Sequence, residues 1–363
     1  MYYLILILPI VLFAIYFFIA KKMRFIDQPN GRSSHIDSTI TGSGIVFSIS
    51  LIALHFIFGF ELSLGFIAGL SLAVIVSFAD DMIFIKHSQR FIVQLAAVTL
   101  LVLSIPSLDI SHFSDKFPII IGAIIFGVFV LNGLNFMDGI NGMLGLGSLI
   151  ILLSLAYLNL NIYNSNGAPI NFIKQEAIYS LIATNIIFLF LNLRAKAKAF
   201  MGDAGSIGIG FSILYMVYML IAQTGNISYL LLFSVYGIDS GLTVIYKLIL
   251  KENIFVPHRD FLFKKLVHIG KYGHVRVSVI YASVQLLVNS FLIFIPIKAS
   301  IFNQIALLFL VIAILTTIFI RTRNQYTKTR LIRFFSQRSK GDIPLSNNYP
   351  KTHFTKAESK LKA

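Results

Sequence analysis

Residues 2–20 read YYLILILPIVLFAIYFFIA, and Lys21, Lys22 and Arg24 follow almost at once. As a helix rising 1.5 Å per residue, such a run spans about 28 Å, close to the hydrocarbon thickness of a bilayer. A secretory leader carries its positive charge ahead of the apolar run and a small-residue cleavage site behind it. Here the charge follows the run, so the segment reads as a retained first membrane span.

The rest of the chain repeats that opening. Of its 363 residues 57% are hydrophobic and 12% charged, whereas about 25% of a soluble domain is charged. Too little polar surface exists to cover a water-soluble globule. Ten further apolar runs lie near residues 44–59, 62–79, 91–106, 117–134, 139–158, 176–193, 205–222, 228–250, 275–297 and 300–320. The fold class expected is therefore all-α, a polytopic transmembrane helical bundle of about 11 spans, with 10 as the alternative count. The chain has no cysteine, which excludes disulfides and thiolate metal sites.

The net charge of +15 is explained by where the charges fall. If the N-terminus lies outside and the loops alternate, 27 of the 30 Lys and Arg fall in cytoplasmic segments, leaving only Lys116, Lys174 and Lys298. That is the positive-inside bias of a multi-pass protein, and it puts the C-terminus in the cytoplasm. The tail from Arg321 to Ala363 is basic and suits an anionic inner leaflet, at about 1 kcal/mol per nearby Lys or Arg. The domains expected are 1–320, a transmembrane catalytic unit with cytoplasmic loops, and 321–363, a basic cytoplasmic tail. The charge implies a lipid bilayer as partner and no nucleic acid.

The same topology sorts the unusual polar residues. Asp80-Asp81, the cluster from Asn132 to Asn141, Asp203 and His258-Arg259-Asp260 all fall at cytoplasmic ends of spans. Their convergence on one face points to one site. Asp80 and Asp81 end the third span, where the helix dipole disfavours anions by up to about 1 kcal/mol. A metal, a cationic substrate group, or Lys86 and Arg90 must offset them. In Asn132-Gly-Leu-Asn135-Phe-Met-Asp138-Gly-Ile-Asn141-Gly142, polar side chains recur every three residues among glycines. The pattern reads as a broken helix lining a polar cavity, since irregular backbone at membrane depth survives only in such places. An ionisable Asp138 in an apolar neighbourhood favours function over an interhelical seam.

Asp203, in Phe200-Met-Gly-Asp-Ala-Gly-Ser206, stands where an N-cap would, so capping competes with catalysis as its explanation. Gly202 and Gly205 would let phosphates approach the backbone. Ser206, Gly208 and Gly210 suit close helix packing. His258 and Arg259 suit pyrophosphate oxygens, Arg through its bidentate fork. Asp239, alone in the ninth run, is either a buried partner for a neighbouring helix or part of the polar cavity, with the structural reading favoured. Hard oxygen ligands without thiolates favour Mg²⁺ over zinc, with Mn²⁺ as an alternative.

These four motifs, in this order and on one face, resemble the polyprenyl-phosphate N-acetylhexosamine-1-phosphate transferase family. The resemblance is to bacterial undecaprenyl-phosphate enzymes of the glycosyltransferase family 4 type that initiate O-antigen or capsule synthesis. It covers roughly Asp27 to Asn289, and the first loop, Asp27-Gln-Pro-Asn-Gly-Arg-Ser-Ser-His35, also looks like the family's. The resemblance implies attack by undecaprenyl phosphate on the β-phosphorus of a UDP-sugar, releasing UMP, in a multi-pass protein of the bacterial inner membrane whose site faces the cytoplasm. It implies Mg²⁺ on Asp203 and Asn135, and Asp80 and Asp81 positioning or deprotonating the lipid phosphate. Phe200 would stack on the uracil, Asn132, Asp138, Asn141 and Asn192 would complete substrate binding, and His258 and Arg259 would hold the diphosphate. A homodimer is a further expectation.

The chain departs from the family pattern in three places. Ile40-Thr-Gly-Ser-Gly44 lacks the usual Pro-Arg, Asn192-Leu-Arg-Ala-Lys-Ala-Lys198 lacks the usual prolines, and Phe261-Leu-Phe-Lys-Lys265 replaces a His-rich run. The last departure argues against the branch that makes the peptidoglycan lipid precursor. The competing class is a transporter or flippase of lipid-linked sugars, which would place polar groups near the bilayer midplane in paired broken helices.

Overall fold

The computed structural model describes residues 2–27, 38–83, 85–106, 113–163, 169–251, 260–294 and 300–339. Each apolar run becomes a helix. In chain order these are α1 (Tyr2–Met23), α2 (Ile45–Phe58), α3 (Leu64–Met82), α4 (His87–Leu103), α5 (Phe113–Met137), α6 (Met143–Asn161), α7 (Gln175–Asn192), α8 (Gly202–Thr224), α9 (Ser234–Ile249), α10 (Leu262–His268), α11 (His274–Phe294) and α12 (Ile301–Ser339). Two short antiparallel strands, β1 (Ile26–Asp27) and β2 (Thr39–Ile40), are the only paired strands among the described residues.

Nine segments among the described residues are long and apolar enough to cross a membrane. The two runs not among them form α2 and α4, of 14 and 17 residues. At 1.5 Å per residue these reach about 21 and 26 Å, short of a typical hydrocarbon core. Both nonetheless run antiparallel to their neighbours and keep the alternation of the bundle. The tight turn between α2 and α3, near Gly59–Glu61, has a clear cause. Gly59 takes a left-handed conformation and its N–H caps the His55 carbonyl, and Ser63 Oγ then accepts the Phe66 N–H to start α3.

α8 forms the centre, with 16 of its 23 residues buried, and packs against α3, α5, α2 and α6. Glycines set the closest approaches. A Cβ on Gly44 would lie 2.4 Å from the Gly205 Cα, and one on Gly208 would lie 2.4 Å from Ser48 Oγ. The expectation that Gly208 serves packing holds.

The ninth apolar run is not one continuous α-helix. It opens as a 3-10 turn, Ile227–Phe233, and becomes α9 at Ser234. Side-chain acceptors satisfy backbone groups around the tighter turn. Asn226 Oδ1 takes the Ser228 N–H, Gln304 Oε1 that of Ile227, and Gln285 Oε1 that of Val235. Gln285 also donates to Asn289, which donates to Ser154 Oγ. A backbone irregularity inside an apolar bundle is tolerated because protein groups supply the missing partners.

α12 continues through residue 320 to Ser339, so the boundary expected there is a change of composition within one helix. Its remaining tail, 340–363, lies outside the described residues. The chain ends of α3, α5, α7 and α9 and the starts of α2, α4, α6, α8 and α11 meet at one end of the bundle. That end carries the candidate site.

Candidate active site

The site is built around the start of α8. Asp81, in the last turn of α3, accepts the backbone N–H of Asp203 at 2.9 Å and that of Ala204 at 3.1 Å. The first N–H groups of a helix lack intrahelical partners and carry the positive end of its dipole. One carboxylate therefore has its charge offset by another helix. The N-cap position belongs to Met201, and Asp203 sits inside the first turn. Capping thus fails as the explanation for Asp203, because Asp81 does the capping from across the bundle.

Gly202 makes this approach possible. It adopts φ +74°, and a Cβ there would meet Asp81 Oδ2 and the Gly42 Cα, each at 2.7 Å. Gly202 and Gly205 admit Asp81 and the backbone of residues 42–44, and Gly202 also lines the cavity.

Asp80 is held differently. Its Oδ1 accepts the Ile85 N–H at 2.8 Å, and its Oδ2 is paired with Arg90 Nη1. The same guanidinium nitrogen lies 2.7 Å from Asp203 Oδ2. Arg90, at the start of α4, thus ties the end of α3 to the start of α8. It was visible in the sequence only as one possible counter-charge, since the positive-inside bias already accounted for it.

The polar cluster from Asn132 to Asn141 divides. α5 stays helical to Met137, so the break expected across 132–142 is confined to the turn 138–142, where Gly142 has φ +81°. Within the regular helix, residues three apart diverge in direction. Asn135 Nδ2 donates to Ser206 Oγ on α8, while Asn132 Nδ2 donates to Gln94 on α4 and to the Val128 carbonyl. Neither Asn132 nor Asn135 is among the residues lining the cavity, and what the structure shows for Asn132 is a structural contact. Its amide joins two helices.

Asn141 and Asn192 border the cavity but are committed to backbone. Asn141 donates to the Arg194 and Ala195 carbonyls; Asn192 accepts the Gly142 N–H at 2.6 Å and donates to Ala199. Together they fasten the 193–201 loop to the start of α6. That loop is also pinned to the first loop, because Phe200 N–H donates to the Ile40 carbonyl and Ser43 N–H and Oγ donate to the Phe200 carbonyl. Phe200 is thereby placed at the cavity wall.

The cavity has a volume of about 520 Å³ and is lined by Asp27, Asp80, Asp81, Asp138, Asn141, Asn192, Phe200, Asp203, Lys264 and His274, among others. Sequence reasoning had named neither Lys264 nor His274 individually as a site residue. Burial first, then the neighbouring Asp203 and Asp81, push the Asp138 carboxyl up to about 7. His258 and Arg259 lie outside the described residues. Asp239 is buried and does not line the cavity; it accepts the Leu262 and Phe263 N–H groups and the Tyr281 hydroxyl.

The family described as Glycosyl transferase family 4 matches residues 63–221, the stretch that carries Asp80, Asp81, Arg90, Asn135, Asp138 and Asp203. The match to that family is confined to that segment, a little under half of the chain. A curated relative from Bacillus subtilis (strain 168), "Probable undecaprenyl-phosphate N-acetylglucosaminyl 1-phosphate transferase", is 23% identical over 277 residues, covering 72% of this chain and 75% of the relative. The segment matched by the family begins at the N-cap of α3 and ends near the close of α8. It therefore spans the acidic wall of the cavity, whereas α10 and α11, which supply Lys264 and His274, lie beyond it.

The donor set fits a hard divalent cation. Carboxylates of Asp80, Asp81, Asp138 and Asp203 all line the cavity, and Arg90 is paired with two of them, Asp80 and Asp203. Burial is the main cause of the raised Asp138 value, and the Asp203 and Asp81 charges that add to it are the part a cation would offset. Among the described residues no preformed group of three or more carboxylate or imidazole ligands exists. Mg²⁺ does not require one, since it is commonly held by one or two carboxylates together with substrate phosphates.

Proposed function

We propose that the protein transfers an N-acetylhexosamine-1-phosphate from a UDP-sugar to undecaprenyl phosphate, giving a lipid diphosphate sugar and UMP. The observation that carries this reading is the meeting of Asp80, Asp81, Asp138 and Asp203 in one cavity at the basic end of the bundle. Such a cavity suits two anionic substrates only when a cation joins them. Mg²⁺, held by Asp203 and Asn135, would neutralise phosphate charge there, with Mn²⁺ as a substitute. The name of the Bacillus subtilis relative supports the acceptor and favours N-acetylglucosamine as the sugar.

The chain's own residues do the positioning. A phosphate oxygen of the lipid attacks the sugar-linked phosphorus, the bond to the UMP oxygen breaks, and UMP leaves with that electron pair. Phosphoryl transfer of this kind depends on alignment and on neutralising charge more than on covalent chemistry by the protein. Asp81, fixed on the start of α8, and Asp80, fixed by Arg90, give the acceptor side two oriented carboxylates that position its phosphate and take up its proton. Phe200 offers a ring for the uracil, with its loop held by Asn141 and Asn192. His258 and Arg259 hold the diphosphate. The basic end faces the cytoplasm of a bacterial inner membrane by the positive-inside bias. The product initiates a surface polysaccharide such as O-antigen or capsule.

The test is direct. Purified protein, given undecaprenyl phosphate, Mg²⁺ and a panel of labelled UDP-N-acetylhexosamines, should release UMP and form a chloroform-soluble sugar lipid. Absence of both products with every sugar would overturn the proposal. A transporter of lipid-linked sugars is disfavoured because the polar groups gather at one end of the bundle, away from its midplane.

A further inference from the structure

We infer that Asp239 is a positioning residue for the basic wall of the cavity, acting through α10 and Lys264, an inference that rests on the proposed donor reaction. Asp239 lies on α9 and is buried, 2% exposed. Its carboxylate accepts the Leu262 N–H at 2.9 Å, the Phe263 N–H at 3.3 Å and the Tyr281 hydroxyl at 2.8 Å. Leu262 and Phe263 are the first two residues of α10, so an α9 side chain fixes where this seven-residue helix begins. So short a helix has little stability of its own. Its placement is set by Asp239 and by the burial of Phe263 and Leu266.

What α10 does with that placement is visible at Gly139. A Cβ there would meet Phe263 Cζ at 3.0 Å and Lys264 Cε at 3.1 Å. α10 therefore lies directly on the turn that carries Asp138, and Lys264 reaches the cavity over it. The Lys264 ammonium sits 5.5 Å from the Phe261 ring centre and 5.8 Å from that of Phe263, and these rings help to direct it. α11 closes the other side of the same turn. Ser278 donates to the Asn141 carbonyl at 2.8 Å, and Tyr281, one turn further along, donates to Asp239. Asp239 thus connects the two helices that bracket the Asp138 turn. A shift of α10 would move a cation facing the nucleotide-sugar and leave the acceptor carboxylates in place.

The chain contains no cysteine, so a single introduced thiol reports on one position. In full-length Lys264→Cys protein, UDP should slow labelling by a membrane-impermeant maleimide about fivefold, as expected for a site that a ligand covers. Asp239→Asn keeps the side-chain volume but turns an amide N–H₂ toward backbone donors. Added to Lys264→Cys, it should speed labelling without UDP and remove most of the protection. In otherwise unaltered protein, Asp239→Asn should raise the UDP-sugar KM about tenfold with the undecaprenyl-phosphate KM unchanged, the signature of lost donor binding. In a Lys264→Ala background the same change should add little, because the two act in one chain of contacts. Tyr281→Phe, which removes one of three hydrogen bonds, should act in the same direction and more weakly.

Unchanged labelling in Asp239→Asn, equal effects on both KM values, or full additivity with Lys264→Ala would overturn the inference and leave Asp239 a structural brace. If UDP protects nothing and no UMP forms in any variant, the donor reading fails. The labelling rate without UDP would still report whether Asp239 anchors α10.

Discussion

Asp81 and Asp203 meet across a helix start: the carboxylate of the first accepts the backbone N–H of the second at 2.9 Å. The two acids belong to helices far apart in the chain, and their side chains take different partners. Asp203 turns its carboxylate to Arg90, while Asp81 spends its own on the dipole of α8. Removing the Asp81 charge therefore has two separable effects. Asp81→Ala leaves two N–H groups unpaired and should cost about 1–3 kcal/mol of stability. Asp81→Asn keeps an acceptor and should cost less, yet both should lower UMP release at least about a hundredfold, the loss expected when a reacting group is no longer positioned. Thermal unfolding and turnover on the same preparations check this; an Asn variant with full turnover would refute the assignment.

Arg90 holds Asp80 and Asp203 together, so Arg90→Gln should leave two neighbouring carboxylates without their cation. The melting temperature in chelator should fall by the equivalent of about 1–3 kcal/mol, the usual loss for a charge-assisted bond. Mg²⁺ should recover more of that loss in Arg90→Gln than in the unaltered protein, because a divalent cation replaces the missing charge. Melting curves with and without Mg²⁺ decide the point.

These two relationships mark where the sequence was legible and where it was not. Helix number and order could be read because a run near twenty apolar residues has few other uses. The convergence of Asp80, Asp138 and Asp203 followed from the alternation of the spans. Arg90 stayed unassigned because a cation on the basic face needs no further reason. α10 went unread because seven residues in a loop give no periodic signal. Asn132 and Asn135 look alike in sequence, but three residues in a helix fall short of a full turn. Only the neighbours, Gln94 for one and Ser206 for the other, tell them apart.

Asp138 gives the pH dependence. Its folded value, about 7, lies above the ordinary carboxylate value near 4, so the folded protein binds this proton more tightly than the unfolded chain does. Stability without metal should then fall as pH rises from about 4 through about 7 and level off above that, since both states are ionised there. Asp138→Asn should flatten this part of the profile. Mg²⁺ should stabilise the unaltered protein more at pH values above the Asp138 pKa than below it. Melting temperatures in chelator and in Mg²⁺ across this range test both the sign and the window; a profile that rises with pH through neutrality would contradict it.

Glycine positions separate packing from turn chemistry. A Cβ on Gly205 would fall 2.4 Å from the Met201 Cγ and 2.5 Å from the Gly44 Cα; the Met201 side chain can yield, but the Gly44 backbone cannot. Gly205→Ala should therefore destabilise by about 1–3 kcal/mol or more, as overpacking does, and displace the α8 start that Asp81 caps. At Gly59, with φ +59° and no atom within 4 Å of an added Cβ, only the left-handed backbone resists. Gly59→Ala should cost about 1–2 kcal/mol and leave turnover intact.

Asn132 provides the sharpest contrast within one motif. Its amide spans to Gln94 Oε1 at 2.9 Å and to the Val128 carbonyl at 2.9 Å, beneath the cavity and outside its lining. Gln94 is buried, 3% exposed, so Asn132→Ala should leave its acceptor unpaired and cost about 1–3 kcal/mol of stability. Its KM for a UDP-sugar should stay within about threefold of the unaltered value, because no substrate-facing group is lost. Asn141→Ala should do the reverse in kind. It frees the Arg194 and Ala195 carbonyls, loosens the loop that presents Phe200, and should raise that KM more than it lowers the melting temperature. Steady-state kinetics and melting curves on the two variants decide between them. An Asn132→Ala variant with a strongly raised donor KM would return this residue to the binding site.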